Sequence, residues 1–194
     1  MHAFMELQLA SEGAVMADLR QRIDALRREK NAVILCHTYQ APEVQDVADF
    51  VGDSYGLSKR ATTVDAAVIV FCGVQFMAET AAILNSERTV LMPDPEAGCP
   101  MADMISAADL RELKRQHPGA PVVCYVNSTA AVKAESTICC TSSNAVKIVQ
   151  SLGDVPEIIF VPDRYLGRFV ERKINRGLIL WDGFCPTHAT IRPQ

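Results

Sequence analysis

The chain has 194 residues, enough for one large domain or two small ones with a sizeable core. A formal net charge of −4 offers no basic surface for nucleic acid, and 49% hydrophobic residues are typical of a well-buried globular protein. No stretch approaches the roughly 18 apolar residues of a membrane span. Seven cysteines without tight spacing argue against a disulfide framework. Because residues 1–15 also lack the basic segment of a secretory signal, the sequence predicts a reducing, cytoplasmic location.

The predicted elements alternate between helices and apolar strands. Residues 14–30 place Val15, Leu19, Ile23 and Leu26 at helical spacing, which predicts an amphipathic first helix. Apolar runs and helical patterns follow at residues 32–35, 66–72, 76–84 and 89–92, and again at 121–126, 142–152, 157–161, 164–174 and 178–181. Continuous apolar strands that alternate with helices predict parallel sheets covered on both faces.

The second half of the chain repeats the pattern of the first. Cys36 aligns with Cys124, and Ser54 aligns with Ser142 at the same offset. We therefore predict an α/β fold of tandem homologous three-layer α/β/α modules with parallel sheets. The predicted domains are residues 1–100, which hold the N-terminal helix and the first module, and residues 101–194, which hold the second.

Two loop cysteines occupy matching places in this repeat. Cys99 lies in residues 93–100 (PDPEAGCP) and Cys185 in residues 181–188 (WDGFCPTH), each shortly after an aspartate and a glycine and directly before a proline. If each module contributes one thiolate to the same location, the two thiolates suggest a shared soft-metal centre. Two thiolates do not complete such a site, so the spacing leaves metal ligands and ordinary loop cysteines as open alternatives.

Polar residues follow the predicted strands, at the end where open α/β sheets bind ligands. His37 and Tyr39 alternate at the end of the first strand, and Tyr125 and Asn127 do so in the second module. They are either capping and packing residues or an acid–base pair at a pocket floor. The recurrence of the pattern in both modules favours the functional interpretation.

The remaining polar candidates are less specific. Ser54 and Ser142 precede helical patterns, where hydroxyl and free backbone N–H groups suit an anion. His188 could orient groups near a metal or be a surface histidine. The other cysteines are predicted to be structural: Cys36, Cys72 and Cys124 as buried core residues, and the adjacent Cys139 and Cys140 as residues that do not chelate a metal directly.

Several long motifs resemble those of the quinolinate synthase family. They are residues 34–40 (ILCHTYQ), 47–54 (VADFVGDS), 72–80 (CGVQFMAET), 93–99, 125–128 (YVNS), 140–145 (CTSSNA) and 181–188. The resemblance runs from about residue 20 to the last residue. It implies three homologous α/β modules around a pseudo-threefold axis, each of which contributes one cysteine to a [4Fe–4S] cluster.

The resemblance also implies a reaction. Such enzymes are transferases of de novo NAD (pyridine nucleotide) biosynthesis, and they condense iminosuccinate (iminoaspartate) with dihydroxyacetone phosphate to quinolinate, releasing phosphate and water. L-Aspartate oxidase is the implied upstream supplier. By position, Cys99 and Cys185 match two cluster ligands, and Tyr39 matches a tyrosine that assists proton transfer, with His37 beside it as a second catalytic residue. The residues that match substrate-binding positions are His37, Ser54, Tyr125, Asn127 and Ser142.

The sequence departs from the family pattern at its end. Family members continue for a third module, which supplies the third cysteine and a His-x-Glu substrate motif, and neither has a counterpart among these 194 residues. Two hypotheses follow. The chain is a quinolinate synthase or a two-module portion of one, or it is a truncated, non-catalytic fragment or scaffold that keeps the fold without a complete cluster.

Overall fold

The structure is a computed structural model that describes residues 2–192, with side chains described from residue 13 onward. The predicted domains extend to residues 1, 193 and 194, which lie outside the described residues. The helices are α1 (His2–Glu29), α2 (Pro42–Gln45), α3 (Ser54–Thr63), α4 (Gln75–Leu84), a 3₁₀ helix (Ala102–Met104), α5 (Ala107–Gln116), α6 (Ala130–Ala134), α7 (Ala145–Ser151), α8 (Arg164–Ile174) and α9 (Pro186–Ala189). The strands are β1 (Ala32–His37), β2 (Phe50–Gly52), β3 (Val68–Cys72), β4 (Thr89–Leu91), β5 (Val122–Tyr125), β6 (Ile138–Cys140), β7 (Ile159–Val161) and β8 (Ile179–Leu180).

The chain divides into two compact units. The first comprises the chain up to Gly73 together with Ala81–Asp94, and the second comprises Val74–Thr80 together with the chain from Pro95 onward. Each unit contains a four-stranded parallel sheet, in the order β2-β1-β3-β4 in the first and β6-β5-β7-β8 in the second. The identical strand order confirms the predicted α/β fold with two repeated modules.

In the first unit, β1 is the central strand and pairs with both β2 and β3. Ile34, Cys36 and Cys72 form a buried cluster on the sheet, and Ile23 of α1 and Val44 of α2 pack against it. Helix α3 packs against β1 and β2. The predicted first helix is therefore present and contacts the sheet through its apolar side.

Part of the apolar stripe of α1 nevertheless stays exposed. Leu19 and Leu26 are 40% and 54% exposed, although their spacing predicts an amphipathic helix with a buried side. With Ile23, Val68 and Val70 they line an apolar groove of about 470 Å³ between α1 and the sheet. Helical periodicity thus predicts the helix correctly but not how much of its stripe is buried.

In the second unit, the sheet has a core on each face. Cys124 packs with Leu110 of α5 and Val132 of α6 in one cluster. Val149 of α7 and Val170 of α8 belong to a separate cluster with residues of the same sheet. These two clusters give the second unit the three-layer arrangement that the alternating pattern predicts.

The elements agree with the sequence in most places. Helix α8 spans the predicted residues 164–174, and Cys36, Cys72 and Cys124 are buried as predicted. Strands β2 and β6 were not predicted, and α1 begins at His2 rather than at residue 14. Within the described residues, no helix is both long enough and apolar enough to cross a membrane.

Candidate functional site

The first unit brings three of the predicted site residues together at the end of β1. His37 is the last residue of β1 and is the register partner of Gly52 in β2. The chain then turns at Asp53, whose carboxylate accepts a 2.7 Å hydrogen bond from the Gly56 N–H and so caps α3. Because Ser54 is the first residue of α3, this pairing places its hydroxyl beside the His37 ring.

Both nitrogens of the His37 ring have partners. The backbone N–H of Tyr39 donates to Nδ1 at 3.2 Å, and Nε2 lies 3.4 Å from Oγ of Ser54. Since Nδ1 accepts, the neutral ring carries its proton on Nε2 and donates it to Ser54. The Ser54 hydroxyl can then donate its own proton to a bound anion.

Tyr39 lies next to His37, and its side chain is exposed to solvent. Its ring centroid lies 4.4 Å from that of His37 in an edge-to-face arrangement, and the residue is 83% exposed while His37 is 5% exposed. The phenol is therefore positioned by a buried imidazole but remains accessible to a ligand.

Burial lowers the pKa of His37, and the nearby charge of Asp53 partly opposes this effect. The ring is therefore neutral at pH 7. Because the folded-state pKa lies below the ordinary value, the neutral ring contributes stability above about pH 6.5 that is lost as the pH falls through the lowered pKa.

We expect Asp53→Asn to lower the pKa of His37 further. Asparagine keeps an oxygen that can accept from the Gly56 N–H, but it removes the negative charge that favours the imidazolium. An NMR pH titration of the ring protons measures the midpoint. Asp65→Asn, an exposed carboxylate beyond the other end of α3, is the control and should leave the midpoint unchanged. A midpoint that rises in Asp53→Asn would contradict this electrostatic account.

The second unit contains a pocket of about 470 Å³ at the carboxyl end of its sheet. Two predicted site residues, Tyr125 at the end of β5 and Ser142 in the turn between β6 and α7, line it. The other lining residues are Asp163, Tyr165, Leu166, His188, Ala189 and Ile191. Asn127 lies half-buried in the loop after β5 and is not among them.

Tyr125 is held in its protonated form. Burial, followed by the nearby Asp163, Cys140 and Cys185, raises its pKa to about 12, while a hydrogen bond with Ser142 acts in the opposite direction. At neutral pH the phenol is therefore a hydrogen-bond donor at the pocket wall, next to the Ser142 hydroxyl. Such a pair of hydroxyl groups suits a carboxylate or other anionic oxygen.

Two further residues of this pocket were not among the site residues predicted from the sequence. Asp163 is 6% exposed and caps α8 by accepting from the N–H groups of Tyr165 at 2.8 Å and Leu166 at 3.2 Å. His188, which the sequence left between a role near a metal and an exposed position, lines the pocket from α9. The sequence signal for Asp163 was an aspartate between an apolar strand and a helical pattern.

Cys99 and Cys185 both belong to the second unit, and both thiols are free and half-buried. Cys99 follows β4 in the chain and leads into the 3₁₀ helix, whose Met104 accepts a 2.9 Å hydrogen bond at its carbonyl from the indole N–H of Trp181. The sulfur of Met104 accepts from the backbone N–H of Phe184 at 3.3 Å. The loops that carry the two cysteines are therefore tied together through Met104.

The loop before Cys185 requires a glycine. A Cβ at Gly183 would lie 2.5 Å from the carbonyl oxygen of Pro162 and 3.1 Å from the Trp181 ring. The Gly183 carbonyl also accepts a 2.8 Å hydrogen bond from the N–H of Arg164 at the start of α8. Close backbone approach at position 183 thus fixes the path of the chain into Cys185.

Comparison with known proteins shows the family of the chain. Residues 21–194 match the family model described as Quinolinate synthetase A protein. The chain belongs to the quinolinate synthase family. Quinolinate synthase of Dehalococcoides mccartyi (strain CBDB1) is 61% identical over 176 residues, which are 91% of this chain and 58% of that relative.

Other members of the quinolinate synthase family are similarly close. The Geobacter sp. (strain M21) quinolinate synthase is 58% identical over 176 residues, 91% of this chain and 58% of its own length. Quinolinate synthase 1 of Methanosarcina acetivorans is 58% identical over 175 residues, 90% of this chain and 57% of its own length. The chain thus spans somewhat more than half the length of these relatives.

The [4Fe–4S] cluster that the resemblance implies needs more ligands than this pair supplies. Thiolates are the ligands that such clusters use, and Cys99 and Cys185 lie in linked, half-buried loops. Within the described residues, however, no group of three or more His, Cys, Asp or Glu side chains could hold a metal ion. The two cysteines have the right chemistry and would supply two of the ligands that such a cluster needs.

Proposed function

We propose that this chain acts in the condensation of iminosuccinate with dihydroxyacetone phosphate to quinolinate, with release of phosphate and water. The observation that supports this most directly is its 61% identity over 91% of its length with a protein named quinolinate synthase. The polar groups at the strand ends of each unit suit the anionic oxygens of such substrates. A cytoplasmic location and supply of iminosuccinate by L-aspartate oxidase belong to the same proposal.

The proposed substrate-binding groups are hydrogen-bond donors rather than cations. His37 donates a hydrogen bond through Nε2 to Ser54. The Ser54 hydroxyl can in turn donate a hydrogen bond to an anionic oxygen. In the second unit, the protonated phenol of Tyr125 and the hydroxyl of Ser142 can donate to a carboxylate. Such donors orient carboxylates with fixed geometry and do not require an arginine. Asn127 is proposed as a further binding group because it matches the family motif.

Tyr39 is proposed to move protons during isomerisation and dehydration. Its hydroxyl is exposed, and its ring rests on a neutral, buried imidazole, so the phenol is held in place without losing access to substrate. Cys99 and Cys185 are proposed as two ligands of a [4Fe–4S] cluster, which would supply Lewis-acid chemistry when bound.

The experiment that tests the function is an assay for quinolinate. The purified protein is reconstituted anaerobically with iron and sulfide, and it receives dihydroxyacetone phosphate and iminosuccinate generated from L-aspartate by L-aspartate oxidase. We expect quinolinate to form only when both substrates and the protein are present, as measured by chromatography. A protein that contains a full cluster but forms no quinolinate would overturn the proposal and favour the non-catalytic alternative.

A further inference from the structure

A second pair of cysteines lies apart from the loops of Cys99 and Cys185. Cys124 of β5 and Cys139 of β6 are register partners in the parallel sheet of the second unit. Register partners direct their side chains to the same face, and neighbouring strands lie about 4.8 Å apart, within the range of Cα separations that disulfides span. Cys140 points to the opposite face, where it is buried in the cluster that contains Val123. The geometry therefore pairs Cys124 with Cys139 and not with Cys140.

The two sulfurs differ in access to solvent. Cys139 is exposed, whereas the other six cysteines, all within the described part of the chain, are buried or only partly exposed. Cys124 has no exposed surface. A small molecule can therefore reach Cys139 first, and the inner sulfur of Cys124 lies behind it.

A lysine supplies positive charge beside both sulfurs. Lys133 of α6 donates from Nζ to the hydroxyl of Thr80 at 2.8 Å, and the same nitrogen lies 5.6 Å from the ring centroid of Phe76. These contacts hold the ammonium group in a partly buried position. Its charge acts on Cys124 and on Cys139.

The environment makes the outer cysteine the more acidic one. The neighbouring Cys124 thiol lowers the pKa of Cys139, and the charge of Lys133 lowers it as well, against the effect of burial. The Cys124 thiol itself donates to the Tyr125 carbonyl at 3.4 Å. The neighbouring Cys139 and its own burial raise the pKa of Cys124. The pair thus joins an exposed cysteine that is readily ionised to a buried cysteine that stays protonated.

We propose that Cys139 is a site of thiol–disulfide exchange with low-molecular-weight disulfides and that Cys124 completes the exchange. The Cys139 thiolate attacks one sulfur of the disulfide, a mixed disulfide forms, and the first small thiolate leaves. Cys124 then loses its proton and attacks the Cys139 sulfur, which forms the Cys124–Cys139 disulfide and releases the second small thiolate. The two cysteines lose two electrons and two protons, and the small disulfide is reduced to two thiols. Lys133 acts as a positioning residue that stabilises the Cys139 thiolate.

The test is a time course with oxidised glutathione under anaerobic conditions, followed by alkylation, trypsin and mass spectrometry. We expect a linked pair of peptides, residues 116–133 and 134–147, with the bond at Cys139. We also expect Cys139 to react at least about tenfold faster than the buried Cys72 and Cys140. A link through Cys140, or equal rates for Cys139 and Cys140, would overturn the proposal.

Variants separate the two chemical steps. Cys124→Ser should trap glutathione on Cys139 as a mixed disulfide, and Cys139→Ser should abolish both products. Lys133→Met should slow the reaction of Cys139 several-fold, whereas Lys133→Arg, which keeps the charge, should restore most of the rate. Equal rates in these two lysine variants would remove the role of Lys133. Circular dichroism verifies that each variant is folded, and none of these measurements depends on quinolinate formation.

Discussion

Cys185→Ser is expected to lower the iron and sulfide content of the anaerobically reconstituted protein at least about tenfold. A serine oxygen is a poor replacement for the thiolate that iron–sulfur clusters require. Cys185 lies half-buried in a loop that is tied through Met104 to the segment carrying Cys99. Iron and sulfide analysis, with visible absorbance, measures the loss.

Cys139→Ser is the matched control for this experiment. It also replaces one cysteine of the second unit with serine, but Cys139 is exposed on β6, and it is proposed to react with small disulfides rather than to bind iron. The control should retain the cluster content of the unmodified protein. Full cluster content in Cys185→Ser would remove Cys185 from the proposed ligands.

Tyr39→Phe is expected to lower kcat for quinolinate formation by about a hundredfold or more, with KM changed by less than about threefold. Phenylalanine keeps the ring that rests against His37, and the backbone N–H of residue 39 still donates to Nδ1. Only the hydroxyl proposed to transfer protons is lost. Steady-state kinetics with varied dihydroxyacetone phosphate separates the two constants.

Tyr55→Phe provides the comparison for Tyr39→Phe. Tyr55 is an exposed tyrosine of the same unit, on α3, and no role is proposed for its hydroxyl. Its replacement should leave both constants nearly unchanged. If Tyr39→Phe instead raises KM and turns over normally at saturation, the hydroxyl binds substrate and does not move protons in the slow step.

The central strands of both sheets could be predicted from the sequence, and two edge strands could not. β1 and β5 are continuous apolar runs because each is covered on both faces, and such runs are easily recognised. β2 and β6 have three residues each and pair on one side only, so they need little apolar sequence. Because these strands were not predicted, some contacts of the candidate site were not predicted either.

Because β2 was not predicted, the contact between Ser54 and His37 was not predicted either. The sequence placed Ser54 before a helix, but its approach to His37 depends on the pairing of His37 with Gly52, which lies in β2. Asp163 was missed for a similar reason, because its position at the pocket depends on which strand ends meet in the folded sheet. Motif resemblance supplied the candidate site residues, whereas their hydrogen bonds and protonation states required the fold.

A backbone hydrogen bond determines which nitrogen of His37 carries the proton. Nδ1 is engaged by the amide of residue 39, and every amino acid except proline provides that amide. A substitution at position 39 can therefore remove the phenol without changing the tautomer of the His37 imidazole. A chain that lost the tyrosine at position 39 would keep the histidine proton in the same orientation, ready for a reversion to restore the proposed proton-transfer group.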